Sequence, residues 1–206
     1  VHEVGHGYAA LKMGDDTALR AGRLTLNPIR HLDPIGSILL PVLLKLTGSP
    51  VLFGYARPVP VVPANFRDKT KGTVLVSVAG VAANAALAAA SALVFNGLAS
   101  IAPAVYPTWL MPVVRDGLML SGYSVAINAV LAVFNLIPVP PLDGSRLLAV
   151  ALPSRMRLAY ERLERYGMLL VVVLLLAGVV DRVLEFTLIP LLQLALGADG
   201  LAFLFG

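Results

Sequence analysis

Cysteine is absent from the 206-residue chain. That excludes disulfides, thiolate metal ligands and a cysteine nucleophile, so any metal must be held by His, Asp or Glu. Charge is scarce too. Asp, Glu, Lys and Arg make up 14% of the residues, where a soluble domain carries about a quarter. The net charge of +4 does not mark a nucleic-acid surface, because no basic cluster is interleaved with aromatics. The excess Lys and Arg fit the cytoplasmic loops of a membrane protein instead. What the chain has in abundance is apolar: 58% of residues are hydrophobic and the mean hydropathy is +0.83.

These proportions predict an all-α polytopic membrane protein, a helical bundle forming a single membrane-embedded domain over residues 1–206. The lipid bilayer is then an obligatory partner, nucleic acid is not one, and the number of copies in an assembly stays open. No signal peptide is visible. The chain opens at Val1, directly on a His-Glu-Val-Gly-His run, without an initiator Met. A helix carrying that run needs preceding residues to be embedded, so an upstream stretch is expected.

Val1 to Met13 reads as the end of a helix, terminated by Gly14, Asp15 and Asp16. Ile35 to Leu46 is apolar but too short to cross a bilayer, as a re-entrant or interfacial piece would be. Val51 to Val62 carries Gly54, Pro58 and Pro60 among valines, which predicts an extended, β-like edge segment. Thr73 to Ile101 and Leu118 to Ile137 are clear spans. A short helix is expected from Ser145. A last span begins at Met168, is interrupted by Asp181, Arg182 and Glu185, and resumes from Phe186 to Leu196.

Arg67, Lys69 and Lys71 precede the first clear span, and Arg146, Arg155, Arg157, Arg162 and Arg165 follow the second. These ends are predicted cytoplasmic, and the loop holding Trp109 external. The helix ending at Met13 also runs into a basic loop, Ala18 to Pro34 with Arg20, Arg23 and Arg30, so the segment from that loop to Lys71 starts and ends on one side. It must enter the membrane and return, which requires protein or water around its irregular backbone.

His2-Glu3-Val4-Gly5-His6 is an HExxH motif. On a helix its two imidazoles share a face and can grip one Zn²⁺, with Glu3 placed to take a proton from zinc-activated water. A chance match on a solvated helix is the alternative, but ionisable groups are expensive inside an apolar protein without a purpose. A catalytic zinc needs a third ligand. Asp143 is the candidate, in Asn135-Leu-Ile-Pro-Val-Pro-Pro-Leu-Asp143-Gly144. Its other reading is a helix N-cap. Topology favours the ligand: His6 precedes Lys12 and Asp143 precedes Arg146 by a few residues, so both belong near the cytoplasmic surface.

HExxH, Gly80-Val-Ala-Ala-Asn84 on a middle span, and Asn-x-x-Pro with Leu-Asp-Gly on a later one together resemble the site-2 protease family of intramembrane metalloproteases, peptidase family M50. The Asn27-Pro28…His31-Leu32-Asp33-Pro34 loop and the Phe53-Gly54-Tyr55-Ala56-Arg57-Pro58-Val59-Pro60-Val61 run are similar to its compact prokaryotic branch without a PDZ domain. The resemblance implies His2, His6 and Asp143 as ligands of one zinc ion, Glu3 as general base and acid, and hydrolysis of peptide bonds in membrane-embedded substrate proteins. It also implies that Asn84 and Asn135 hold the substrate backbone or stabilise the oxyanion. Amides bridging buried helices are the other reading of those two.

Such an enzyme must unwind its substrate helix, and Val59 to Val62 is the expected strand on which the unwound segment pairs. His31 and Asp33 read as turn residues rather than further ligands. Two rival functions remain in view. A catalytically inactive relative would bind membrane segments, which the intact Glu3 disfavours. A metal-ion transporter would need ionisable groups along the centre of several spans, and Thr73–Ile101 and Leu118–Ile137 carry only amides and hydroxyls.

Overall fold

The computed structural model describes residues 1–48 and 54–206. Among them there is no strand. Three helices are long and apolar enough to cross a membrane: Lys69–Val105, Met111–Leu136 and Val179–Phe205. The protein is thus an all-α polytopic membrane protein. The chain forms two compact units, Val1–Ala79 and Gly80–Gly206.

In the first unit, α1 (His2–Lys12) is followed by the short α2 (Thr17–Arg20) and a 3-10 turn at Pro28–His31. Asp33 starts the next element: its carboxylate accepts the N–H groups of Ile35 and Gly36 at 3.0 and 2.8 Å. That element is a π-helical turn, Pro34–Leu39, running into α3 (Leu40–Leu46). Pro41 has no N–H to give the carbonyl four residues back, and the wider π turn stands just before it. Thirteen residues at 1.5 Å each reach only about 20 Å, so Pro34–Leu46 is too short to cross. Residues 51–53 of the expected β-like segment lie outside the described residues. From Gly54 to Val62 the chain has no helix and pairs in no ladder; Pro58 and Pro60 deprive it of donors.

The core of this unit is small. Ala10, Phe66 and Val76 are buried together, with Ala9, Met13 and Val61 against them. Beside it sits an acidic residue that the sequence marked only as a helix stop. Asp15 is fully buried. It accepts hydrogen bonds from the Val62 N–H at 2.6 Å, the Asn65 side chain at 2.8 Å and both the hydroxyl and N–H of Thr17. Burial pushes its carboxyl up, but these donors outweigh burial and hold it below the ordinary 3.8. A carboxyl lowered on folding stabilises the fold above its unfolded value, and that contribution fades as pH falls through the native one. We expect Asp15→Asn to lower stability by about 1–3 kcal/mol near neutral pH, the cost of leaving buried donors poorly paired. In detergent melts, the gap to the unmodified chain should begin to narrow as pH falls below the ordinary carboxyl value of 3.8 and close further as it passes through the lowered native one.

The second unit begins within α4 (Lys69–Val105) and continues through α5 (Met111–Leu136), α6 (Asp143–Ala151), α7 (Ser154–Glu161), α8 (Gly167–Leu176) and α9 (Val179–Phe205). Its core joins α4, α5 and α9 through Phe95, Leu118, Val125, Leu192, Leu196 and Leu204. Polar contacts bind the same helices: the Ser91 and Ser124 hydroxyls are 2.8 Å apart, and the Asn96 amide donates to the Ala195 carbonyl at 2.9 Å. In a bilayer such contacts and small residues, rather than apolar burial, hold helices together.

The last span differs from expectation. The break falls at Gly178, in the left-handed region at φ 67, not at the charged residues. α8 closes there in a typical glycine C-terminal turn. Asp181 then lies in the first turn of α9, where the helix dipole favours an acid, and the helix carries Arg182 and Glu185 onward.

Candidate active site

The HEVGH run lies on α1 in the first unit. His2 and His6, one turn apart, bring their Nε2 atoms to 2.9 Å. The rings meet edge to face with centroids 4.4 Å apart. Two nitrogens ligating a tetrahedral zinc at about 2.0–2.1 Å stand about 3.3 Å from each other, so the pair already has nearly the required spacing. The His6 Nδ1 lies 2.7 Å from the Val76 carbonyl. A carbonyl only accepts, so Nδ1 carries the proton and Nε2 keeps its lone pair. A backbone carbonyl in this role is how metal-binding histidines are commonly oriented. The donor set fits Zn²⁺.

Glu3 lies on the same helix, half-buried. Its carboxylate accepts the Val59 N–H at 2.7 Å. That bond belongs to a larger clamp on the extended segment. The buried Arg23 donates to the Arg57 carbonyl at 2.6 Å and the Pro58 carbonyl at 3.4 Å, and the Val62 N–H goes to Asp15. This revises the idea of a pairing strand over Val59 to Val62. Val59 and Val62 give their N–H groups to Glu3 and Asp15, and Pro60 has none, so that stretch does not offer a row of donors to an incoming strand. His31 and Asp33 are engaged locally. The His31 Nε2 donates to the Thr25 carbonyl at 2.8 Å, and Asp33 caps the π turn.

Asp143 belongs to the second unit, is buried, and is the first residue of α6. The N-cap position is Leu142, and Asp143 stands just past it, in the first turn of α6. Its place is set by the proline loop before it. A Cβ on Gly144 would meet the Leu136 carbonyl oxygen at 2.1 Å, and one on Gly167 would meet Pro140 backbone at 2.8 Å. The Tyr160 hydroxyl donates to the Pro138 carbonyl at 2.9 Å, and Arg157 donates to the Ala149 and Val150 carbonyls at the end of α6. Of the two amides, Asn84 is buried in α4. Asn135 is half-buried, and its Nδ2 donates to the Leu131 carbonyl one turn back at 2.9 Å.

Residues 113–178 match the model of peptidase family M50. YwhC of Bacillus subtilis strain 168, a proposed zinc metalloprotease, is 39% identical over 176 residues, covering 84% of this chain and 74% of YwhC. The chain belongs to peptidase family M50. Two further relatives, also proposed zinc metalloproteases, are more distant. Rip2 of Mycolicibacterium smegmatis is 32% identical over 88% of this chain and 64% of its own length. Rip2 of Mycobacterium tuberculosis H37Rv is 30% identical over 86% and 62%. The chain therefore spans just under two thirds of the Rip2 proteins. No solved structure matches it.

Four of these contacts were not foreseen from the sequence: those of Asp15, Arg23 and the Val76 carbonyl in the first unit, and that of Tyr160 in the second. Asp15 reads as a helix terminator and Arg23 as a topogenic charge. A backbone carbonyl on an apolar span carries no signal at all.

Proposed function

We propose that the chain is an intramembrane zinc metalloprotease that hydrolyses peptide bonds in or near transmembrane segments of substrate proteins. His2, His6 and Asp143 hold one Zn²⁺ and Glu3 is the general base. The observation that carries the reading is the convergence of the two Nε2 atoms, 2.9 Å apart, on the helix that also carries Glu3, in a family whose relatives are proposed zinc metalloproteases. Bound zinc supplies Lewis acidity toward water and the scissile carbonyl.

The residues of the chain do the rest. The Val76 carbonyl keeps His6 in the ligating tautomer. The Glu3 carboxylate, steadied by the Val59 N–H, accepts the proton of the attacking water and returns it to the leaving amine. Asn84 and Asn135 hold the substrate backbone or the oxyanion; one Asn135 amide hydrogen is already placed on Leu131. The protein acts in the cell membrane as a multi-pass enzyme with its site near the cytoplasmic side, which rests on the basic residues flanking the spans. A transmembrane protein is the substrate, and self-association is compatible with the reading.

Elemental analysis of the purified chain tests the ligand set. About one zinc per chain is expected, with a large loss in each of His2→Ala, His6→Ala and Asp143→Ala. Full zinc content in the Asp143 variant would remove that residue from the set.

A further inference from the structure

We propose that a cleft in the first unit, bounded by Arg23, Arg30 and Arg57, binds a phosphate group presented by the headgroup of an anionic membrane lipid. The cleft has a volume of about 430 Å³ and is lined by Ala21, Arg23, Arg30, Arg57, Pro58 and Pro60. It holds three guanidiniums and no carboxylate. Among the described residues none of the three is in an ion pair, whereas Arg20 and Lys71 pair with Asp16 and Asp68. Three like charges around one concavity repel, and an anion between them removes that cost.

Arg23 gives the cleft a built wall. It is 8% exposed, and one of its terminal nitrogens donates to the Arg57 and Pro58 carbonyls. Its Nε has no hydrogen-bond partner among the described residues. A buried cation answered only by carbonyl dipoles, with a donor to spare, is an expensive arrangement unless an anion completes it. Arg30 and Arg57 are exposed and free to close on a ligand. Forked guanidinium donors suit phosphate oxygens better than a point charge would.

The surroundings identify the source of the phosphate. Beside Arg30 the same loop exposes Leu26 at 73% and Ile29 at 72%. The following helix exposes Ile35, Ile38 and Leu46. Free phosphate in water needs no apolar rim. A lipid does: its acyl chains meet the leucine and isoleucine side chains while its phosphate sits at the level of the guanidiniums. The site does not depend on the protease reading, and its test does not use cleavage.

The test uses the full chain, purified in neutral detergent and examined by native mass spectrometry. Phosphatidylglycerol, phosphatidylcholine and inorganic phosphate are titrated separately. Retention of one phosphatidylglycerol is expected, weakened by salt, with little retention of phosphatidylcholine. The double variant Arg30→Gln/Arg57→Gln, altered only at exposed positions, should weaken retention by roughly tenfold or more, as expected for two lost charge-assisted contacts. An unchanged melting temperature shows that this variant is folded. Equal retention of the two lipids, or an unaffected double variant, overturns the site. Binding of inorganic phosphate with no lipid retained overturns the lipid as its source.

Discussion

Glu3→Gln should leave the zinc content unchanged and reduce cleavage by about a hundred- to ten-thousand-fold, the range a positioned general base contributes. The substitution separates two roles of one side chain. The Glu3 carboxylate accepts the Val59 N–H at 2.7 Å, and a glutamine carbonyl oxygen can accept the same bond. The extended segment therefore stays clamped, Arg23 keeps its carbonyls, and α1 keeps its two imidazoles. What disappears is the proton acceptor. Zinc content by elemental analysis and cleavage of a transmembrane substrate in the same preparation give the two numbers. Zinc retained with activity lost assigns the proton transfer to Glu3. Activity retained would refute the base assignment. Zinc and activity lost together would mean that Glu3 supports the ligand geometry rather than the chemistry. Glu3→Ala is the informative companion: it frees the Val59 N–H, so it should also lower the melting temperature, which Glu3→Gln should not.

The parts of this protein that composition and short-range pattern decide were legible in its sequence. Apolar runs of twenty or more residues leave few alternatives to a membrane helix, and α4 and α5 lie where the runs are. HExxH puts its imidazoles together by helical geometry alone, so the His2–His6 pair needed no tertiary knowledge. What was not legible depends on contacts far apart in the chain. Asp15 looks like a helix stop, yet its partners Val62 and Asn65 lie about fifty residues on. Val59 looked like an open strand edge because nothing in its neighbourhood says that Glu3 takes its N–H. The last span was misread for a different reason. Charges at Asp181 to Glu185 outweigh a single glycine in any hydropathy reading. The backbone, however, stops where Gly178 can adopt a positive φ, and a helix start tolerates an acid.

Gly144→Ala should be among the most damaging small substitutions in the chain. Its new methyl would sit 2.1 Å from the Leu136 carbonyl oxygen, 2.5 Å from its carbon and 2.7 Å from the Ile137 oxygen. All three are backbone atoms at the end of α5, so no side chain can swing away to make room. Either α6 moves outward or the proline loop reshapes, and both displace Asp143, the residue immediately before. Overpacking of this kind costs about 1–3 kcal/mol, occasionally more. Zinc content should fall with it, because a ligand must stand within a few tenths of an ångström of its place. Gly97→Ala is the matched control. It lies inside α4 with nothing within 4 Å of the new methyl, and alanine there should be neutral or stabilising by up to about 1 kcal/mol. The two alanines thus have opposite expected signs on melting temperature. Only the Gly144 variant should lose metal. If it instead melted like the parent and kept its zinc, the close approach of α6 to the Leu136 backbone would not be what fixes Asp143.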